Sequence, residues 1–105
     1  MMSSTSINRI VCTVGAWPGI HTDELQHSGK DFLLGHREIG HVHGQDLVDI
    51  PFPRKLRDQL VADGRAEPHR VLPKSGWVSI PLNSDRDVDQ AIELLKLSYR
   101  LALNN

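Results

Sequence analysis

Apolar residues recur at helical spacing near both ends of the chain. Near the N-terminus they predict a short helix over residues 7–16, and Trp17-Pro18-Gly19 ends it because proline restricts the preceding residue. Near the C-terminus a longer apolar stripe follows Asn83 or Ser84, either of which can cap a helix. The stripe consists of Val88, Ala91, Ile92, Leu95, Tyr99, Ala102 and Leu103. It predicts a final helix that covers a sheet.

Between these helices, short apolar runs alternate with turn residues, as in an antiparallel meander. The runs predict four strands, over residues 21–26, 31–34, 38–43 and 47–52. The first of these is mostly polar, which is typical of an edge strand. A helix from Pro53 to about Asp63 follows, and then an extended, proline-bounded segment over residues 65–73. A fifth strand is predicted over residues 77–82, with Pro81 marking an edge or the end of the strand.

These elements predict an α+β fold with the order α-β-β-β-β-α-β-α. The chain has 105 residues, of which 39% are hydrophobic and 24% charged, within the range of globular proteins. That length supports one hydrophobic core, so we expect a single domain over residues 1–105. Its first residues, 1–5, are expected to be disordered.

Charge and cysteine usage narrow the classes of function. A net charge of −1 gives no basic field to attract phosphate groups, which argues against nucleic-acid binding. Cys12 is the only cysteine, which excludes an intramolecular disulfide, and we expect it to pack between apolar neighbours. The N-terminus lacks a basic region followed by an apolar run, and no apolar stretch is long enough to cross a membrane. We therefore expect a cytoplasmic protein without a signal peptide or membrane span.

The chemically richest part of the chain is the predicted third strand, which contains His41 and His43. Because side chains alternate along a regular strand, Ile39 is expected on the face of the two histidines, and Glu38 and Val42 on the other. Two imidazoles two residues apart can reach one metal ion or one ligand anion. The spacing therefore indicates a binding or metal site.

An acidic residue can join this histidine pair. If residues 44–46 form a three-residue hairpin loop, His41 lies opposite Asp49, whose carboxylate can orient the ring beside a metal or in an acid–base dyad. A two-residue loop moves Asp49 to the other face. The alternative is structural: His41 and His43 are half-buried strand residues that bond backbone carbonyls or nearby carboxylates.

Other residues extend the site only under further conditions. His69 completes it if the segment over residues 65–73 folds back over the sheet, although a loop histidine is more often exposed. Arg37 and Arg54 can form a basic patch for an anionic ligand, or they are simply solvated charges.

The chain contains no sequence motif that identifies a reaction. The chain has no nucleotide, dinucleotide or other cofactor motif and no catalytic signature, so cofactor and reaction are unknown. Gly35, His41 and His43 match the opening of the cupin pattern, but Leu47 and Val48 stand where its glutamate is expected. A cupin metal site is therefore excluded.

Several motifs together resemble the small family called the luciferase domain, which is also catalogued as a domain of unknown function. They include GHREIGHVHG at residues 35–44, DIPFPR at 49–54, GRAEPH at 64–69 and SGWVS at 75–79. The family name implies light emission, but no residue pattern here indicates a flavin, an oxygen site or a luciferin pocket. A looser similarity, confined to the strand at Trp77 and the helix around Ser98-Tyr99, is to YjbR-like double-wing α+β proteins, some of them proposed to bind DNA.

Three functions remain open from the sequence. The first is a module that binds an unknown small molecule or protein through the sheet face of His41 and His43, rimmed by His69 and an arginine. The second is a small metal-dependent or acid–base enzyme in which Asp49 or His69 joins the histidine pair. The third is a nucleic-acid binder, which rests on the similarity to YjbR-like proteins alone.

Overall fold

A computed structural model describes residues 4–25, 29–44 and 46–104 of the chain. The described part contains three helices and six strands: α1 (Ser4–Gly15), β1 (Ile20–Leu25), β2 (Gly29–Leu34), β3 (Arg37–His43), β4 (Leu47–Pro51), α2 (Arg54–Ala62), β5 (Glu67–Pro68), β6 (Trp77–Pro81) and α3 (Asp85–Leu103). The predicted α+β class and element order are confirmed, with the short strand β5 added. Ser4 and Thr5 belong to α1, and the rest of the predicted N-terminal disorder falls outside the described residues.

The strands form one antiparallel sheet in the order β1-β2-β3-β4-β6-β5. The polar strand β1 is an edge strand, as predicted. Strand β6 lies inside the sheet and ends at Pro81, so the proline marks the end of a strand and not an edge. The prediction missed β5 because a strand of only two residues, one of them Pro68, gives no strand pattern.

The loop between β3 and β4 determines which residues face each other. His43 pairs with Leu47 and His41 with Asp49, as a three-residue loop requires. Gly44 in this loop has a φ of 62°, in the left-handed region that glycine adopts most easily. Of the two registers that the sequence left open, the structure has the one that places Asp49 beside His41.

Strand β3 contains a bulge at Ile39. Gly40 and Glu38 pair with consecutive residues of β2, so Ile39 is the extra residue between them. Ile39 is fully buried in the core, whereas Glu38 lies on the same side as His41 and contacts it. The prediction that Ile39 shares the face of the histidines and Glu38 the other face is wrong, because alternation assumes a regular strand.

Helices α1 and α3 cover one face of the sheet and form the core with it. Helix α3 approaches the sheet closely at Gly40, since a Cβ atom there would lie 2.6 Å from Cδ2 of Leu95. Ser98 of α3 donates a 2.8 Å hydrogen bond from Oγ to the carbonyl of Ile39 at the bulge. Helix α3 thereby satisfies a backbone group of the irregular strand.

Two predictions about burial in the terminal helices are wrong. Cys12 is exposed, because α1 turns Ile10 and Val14 to the core and Cys12 lies about 200° around the helix from Ile10. Leu103 is 55% exposed at the end of α3, although the stripe predicted it in the core. The N-cap prediction is confirmed, since the Ser84 side chain accepts a hydrogen bond from the backbone N–H of Asp87. No helix in the described ranges is long and apolar enough to span a membrane.

The segment between α2 and β6 is fastened to the rest of the fold by hydrogen bonds. The buried Arg57 of α2 donates to the carbonyl of Pro73, and the backbone N–H of Phe52 donates to the carbonyl of Gly76 at 3.0 Å. These bonds hold the loop that carries His69 against the sheet.

Candidate functional site

Polar side chains form a row across the sheet face opposite α1 and α3. Asp31, His41, Asp49 and Ser79 are successive cross-strand partners on β2, β3, β4 and β6. Direct cross-strand partners present their side chains on the same face. The bulge places Glu38 beside these residues. We call the five residues together the polar row.

His41 lies between two carboxylates. Its Nδ1 atom is 3.0 Å from Oε2 of Glu38, and its Nε2 atom is 3.1 Å from Oδ2 of Asp49. Burial favours the neutral ring, but hydrogen bonds to Asp49 and Glu38 outweigh it and raise the pKa of His41 to about 9. His41 is therefore a cation at neutral pH that donates from both ring nitrogens.

Asp49 is the buried centre of the site, with only 2% of its side chain exposed. The hydroxyl of Ser79 donates to Oδ1 at 2.6 Å, and Nε2 of His69 lies 3.5 Å from Oδ2. Burial raises the pKa of Asp49, but hydrogen bonds from His41 and Ser79 outweigh burial and hold that pKa below its usual value. The carboxylate is thus charged and surrounded by donors.

His69 reaches the site from its loop, so the structure brings this predicted residue to Asp49. Its Nδ1 atom accepts hydrogen bonds from the backbone N–H groups of Val71 and Leu72 at 3.2 and 3.1 Å. A neutral ring that accepts at Nδ1 carries its proton on Nε2, which faces Asp49. The loop therefore directs the protonated Nε2 of His69 toward Oδ2 of Asp49.

Asp31 and Glu38 form a pair of interacting carboxyl groups beside His41. Burial, a hydrogen bond with Glu38 and the charge of Glu38 raise the pKa of Asp31 to about 7. The hydrogen bond with His41 lowers the pKa of Glu38 below its usual value. Below about pH 7, Asp31 is therefore protonated and donates a hydrogen bond to Glu38.

The remaining predicted residues are more peripheral. His43 is exposed, and the centroid of its ring lies 5.6 Å from that of His41 in an edge-to-face arrangement. Arg37 is exposed at the start of β3, beside the polar row. Arg54 is an exposed residue of the first turn of α2. His21 and His36 are exposed elsewhere, and His27 lies outside the described residues.

Sequence reasoning missed part of the site. Trp77 was not among the residues predicted for the site, but the centroid of a Trp77 ring lies 5.2 Å from that of His41 and 6.1 Å from that of His69. Sequence reasoning also left Asp31 and Ser79 out of the site. Cross-strand register identifies both residues as neighbours of His41 and Asp49, once the order of the strands is known.

A cleft of about 340 Å³ opens next to the polar row, where β3 begins and β4 ends. Its walls are Arg37, Glu38, Pro51, Phe52, Pro53, Trp77, Ser98 and Leu101. Glu38 and Trp77 contact His41 as well, so the cleft adjoins the charged network directly. A larger hollow of about 560 Å³ lies between the end of α2 and the start of α3, and of the polar row it reaches only Ser79.

Two groups of side chains have metal-ligand spacing. His41, His43 and Asp49 each offer one ligand atom, and these atoms lie within 4.8 Å of one another. Asp31, Glu38 and His41 form the second such group. Nitrogen and carboxylate ligands of this kind suit divalent transition metals.

Comparison with known proteins identifies the family. No curated protein and no solved structure matches the chain, so the similarity to YjbR-like proteins stays a prediction. The model of the Luciferase domain family matches residues 36–98, more than half of the chain. Apart from Asp31, every residue of the polar row lies in the matched segment. The chain therefore belongs to the Luciferase domain family.

Proposed function

We propose that this domain binds a small planar molecule with an acidic group in the cleft beside His41. The observation that carries the proposal is that Glu38 and Trp77 belong both to the cleft wall and to the surroundings of His41. Binding sites combine apolar walls with a few fixed polar groups, and this cleft has both. The binding site predicted on the sheet face of His41 and His43 is thus proposed to include the cleft at the end of that face.

The cleft walls indicate the chemistry of the ligand. The Trp77 indole and the rings of Pro51 and Pro53 offer apolar surface for a planar body. Arg37 supplies a cation for an acidic group. The carboxylate of Glu38 can accept a hydrogen bond from a ligand hydroxyl or N–H group.

The polar row makes this cleft rigid before a ligand arrives. His41 holds Glu38 through a 3.0 Å hydrogen bond and packs its ring against Trp77. Asp49 and Ser79 hold His41 in turn through the buried end of the row. Groups that are already ordered lose less entropy on binding, which favours affinity.

A panel of aromatic carboxylates tests the proposal, with the matching amides and aliphatic acids as controls. We expect only the aromatic acids to raise the melting temperature, by several degrees at ten times their Kd, where binding adds about 1.4 kcal/mol to stability. Arg37→Gln should remove most of this shift, whereas the matched change Arg54→Gln should keep it. Equal responses of the two variants to every probe would contradict the proposal.

General acid–base catalysis is a second candidate, favoured by the carboxyl pair of Asp31 and Glu38. A carboxyl group with a pKa of about 7 can give and take protons at neutral pH, and its partner Glu38 lines the cleft. Exchange of the C3 hydrogens of 2-oxo acids for deuterium, followed by NMR, tests this chemistry. Wild-type protein should accelerate exchange and Asp31→Asn should not. Equal rates with and without protein would remove this candidate.

A further inference from the structure

Three side chains on the sheet face have metal-ligand spacing and lie outside the walls of the proposed cleft. His41 and His43 are two residues apart on β3, and Asp49 lies opposite His41 on β4. One ligand atom from each lies within 4.8 Å of the other two, and Nε2 of His41 is 3.1 Å from Oδ2 of Asp49. Ligands of a tetrahedral zinc ion lie roughly 3.3 Å apart, since each bond is about 2.0–2.1 Å long. Small side-chain rotations therefore suffice to close the three residues around one ion.

Surrounding residues orient two of these ligands. Glu38 accepts from Nδ1 of His41 at 3.0 Å, which turns Nε2 toward Asp49. Ser79 donates to Oδ1 of Asp49, which leaves Oδ2 directed at the histidine. A carboxylate behind a ligating imidazole is the usual support of a metal-bound histidine.

His69 is near this group but has a different role. Its Nδ1 atom accepts hydrogen bonds from two backbone N–H groups, so the ring proton lies on Nε2, the atom that faces Asp49. His69 is not among the residues whose ligand atoms lie within 4.8 Å of one another. We therefore assign it to the support of Asp49 and not to the ligand set.

We propose that His41, His43 and Asp49 bind a divalent first-row transition metal, with Zn²⁺ as the best-suited ion. Two imidazoles and one carboxylate are a common donor set for such ions, and three protein ligands leave a coordination position open. Because His43 is exposed and Asp49 buried, that position faces solvent above the sheet. The proposal is independent of ligand binding in the cleft.

Calorimetric titration of Zn²⁺ into the untagged full-length protein, at about pH 8, tests the site, since metal binding must displace a proton from His41. We expect one ion per chain. His43→Ala should weaken affinity at least tenfold without affecting the fold, because this side chain is exposed. His36→Ala, which removes another exposed histidine, should leave affinity unchanged.

Two further variants separate ligands from supporting residues. Glu38→Gln should weaken Zn²⁺ binding by about 10- to 100-fold while retaining one site, as loss of a supporting carboxylate does. His69→Gln should have a smaller effect than His43→Ala. Absence of Zn²⁺ binding by wild-type protein, or equal affinities of His43→Ala and His36→Ala, would overturn the proposal. Because no aromatic acid is used, these results are separate from the test of the cleft.

Discussion

At the scale of single residues, the site depends on one buried charge. Asp49 receives hydrogen bonds from Ser79 and His41 and faces His69. Its position beside His41 could be predicted from the sequence on the condition of a three-residue loop, because the length of a hairpin loop sets the register. The approach of His69 could only be stated as a condition, because it depends on where a long loop folds.

Replacing Asp49 by alanine tests its importance for stability. We expect the free energy of unfolding to fall by about 3 kcal/mol, since the change leaves the His41 cation with one of its two carboxylate partners. Urea denaturation followed by circular dichroism measures this loss. Asp23→Ala removes an exposed carboxylate paired with His21 and should cost less than about 1 kcal/mol. Similar losses in both variants would contradict the central role of Asp49.

At the scale of elements, the bulge in β3 connects the core to the site. It buries Ile39 and brings Glu38 to His41, which a regular strand cannot do. The sequence predicted the helices and the hairpin well because their signals are local. It could not predict the bulge, because the irregular strand is matched to α3 through Ser98 and the close approach at Gly40.

Gly40→Ala tests this close packing. Its Cβ would lie 2.6 Å from Cδ2 of Leu95 and 2.9 Å from the backbone oxygen of Asp49. We expect a loss of about 1–3 kcal/mol in stability, as in other overpacked cores. Gly15→Ala is the matched control, since its Cβ meets only an ordinary contact of 3.5 Å at the end of α1. A Gly40→Ala variant as stable as wild type would show that α3 does not approach β3 so closely.

At the scale of the whole molecule, the polar row makes stability depend on pH. The pKa of His41 is raised from 6.5 to about 9, so its contribution is complete below pH 6.5 and is lost as the pH rises through 9. The pKa of Asp31 is raised from 3.8 to about 7, so the folded state loses stability as the pH rises across that interval. Glu38 and Asp49 have lowered pKa values, and their contribution is lost as the pH falls into the acidic range.

These shifts together predict greatest stability in mildly acidic solution. Unfolding free energies from urea titrations should reach a maximum near pH 5 and decline toward pH 9. Asp31→Asn should flatten the decline between about pH 5 and 7, because the variant has no carboxyl group to deprotonate there. Wild-type stability that increases steadily from pH 5 to pH 8 would show that the polar row does not hold its protons in this way.

The most direct test of the central claim, that the cleft beside His41 binds a planar acid, uses the chain's own two tryptophans. Trp77 lines the cleft, whereas Trp17 lies in a separate hollow of about 560 Å³ on α1 and α3. In NMR spectra of ¹⁵N-labelled protein titrated with an aromatic carboxylate, the indole N–H signal of Trp77 should shift and saturate while that of Trp17 stays in place. Movement of Trp17 alone, or of neither signal at the highest probe concentration, would contradict the proposed function.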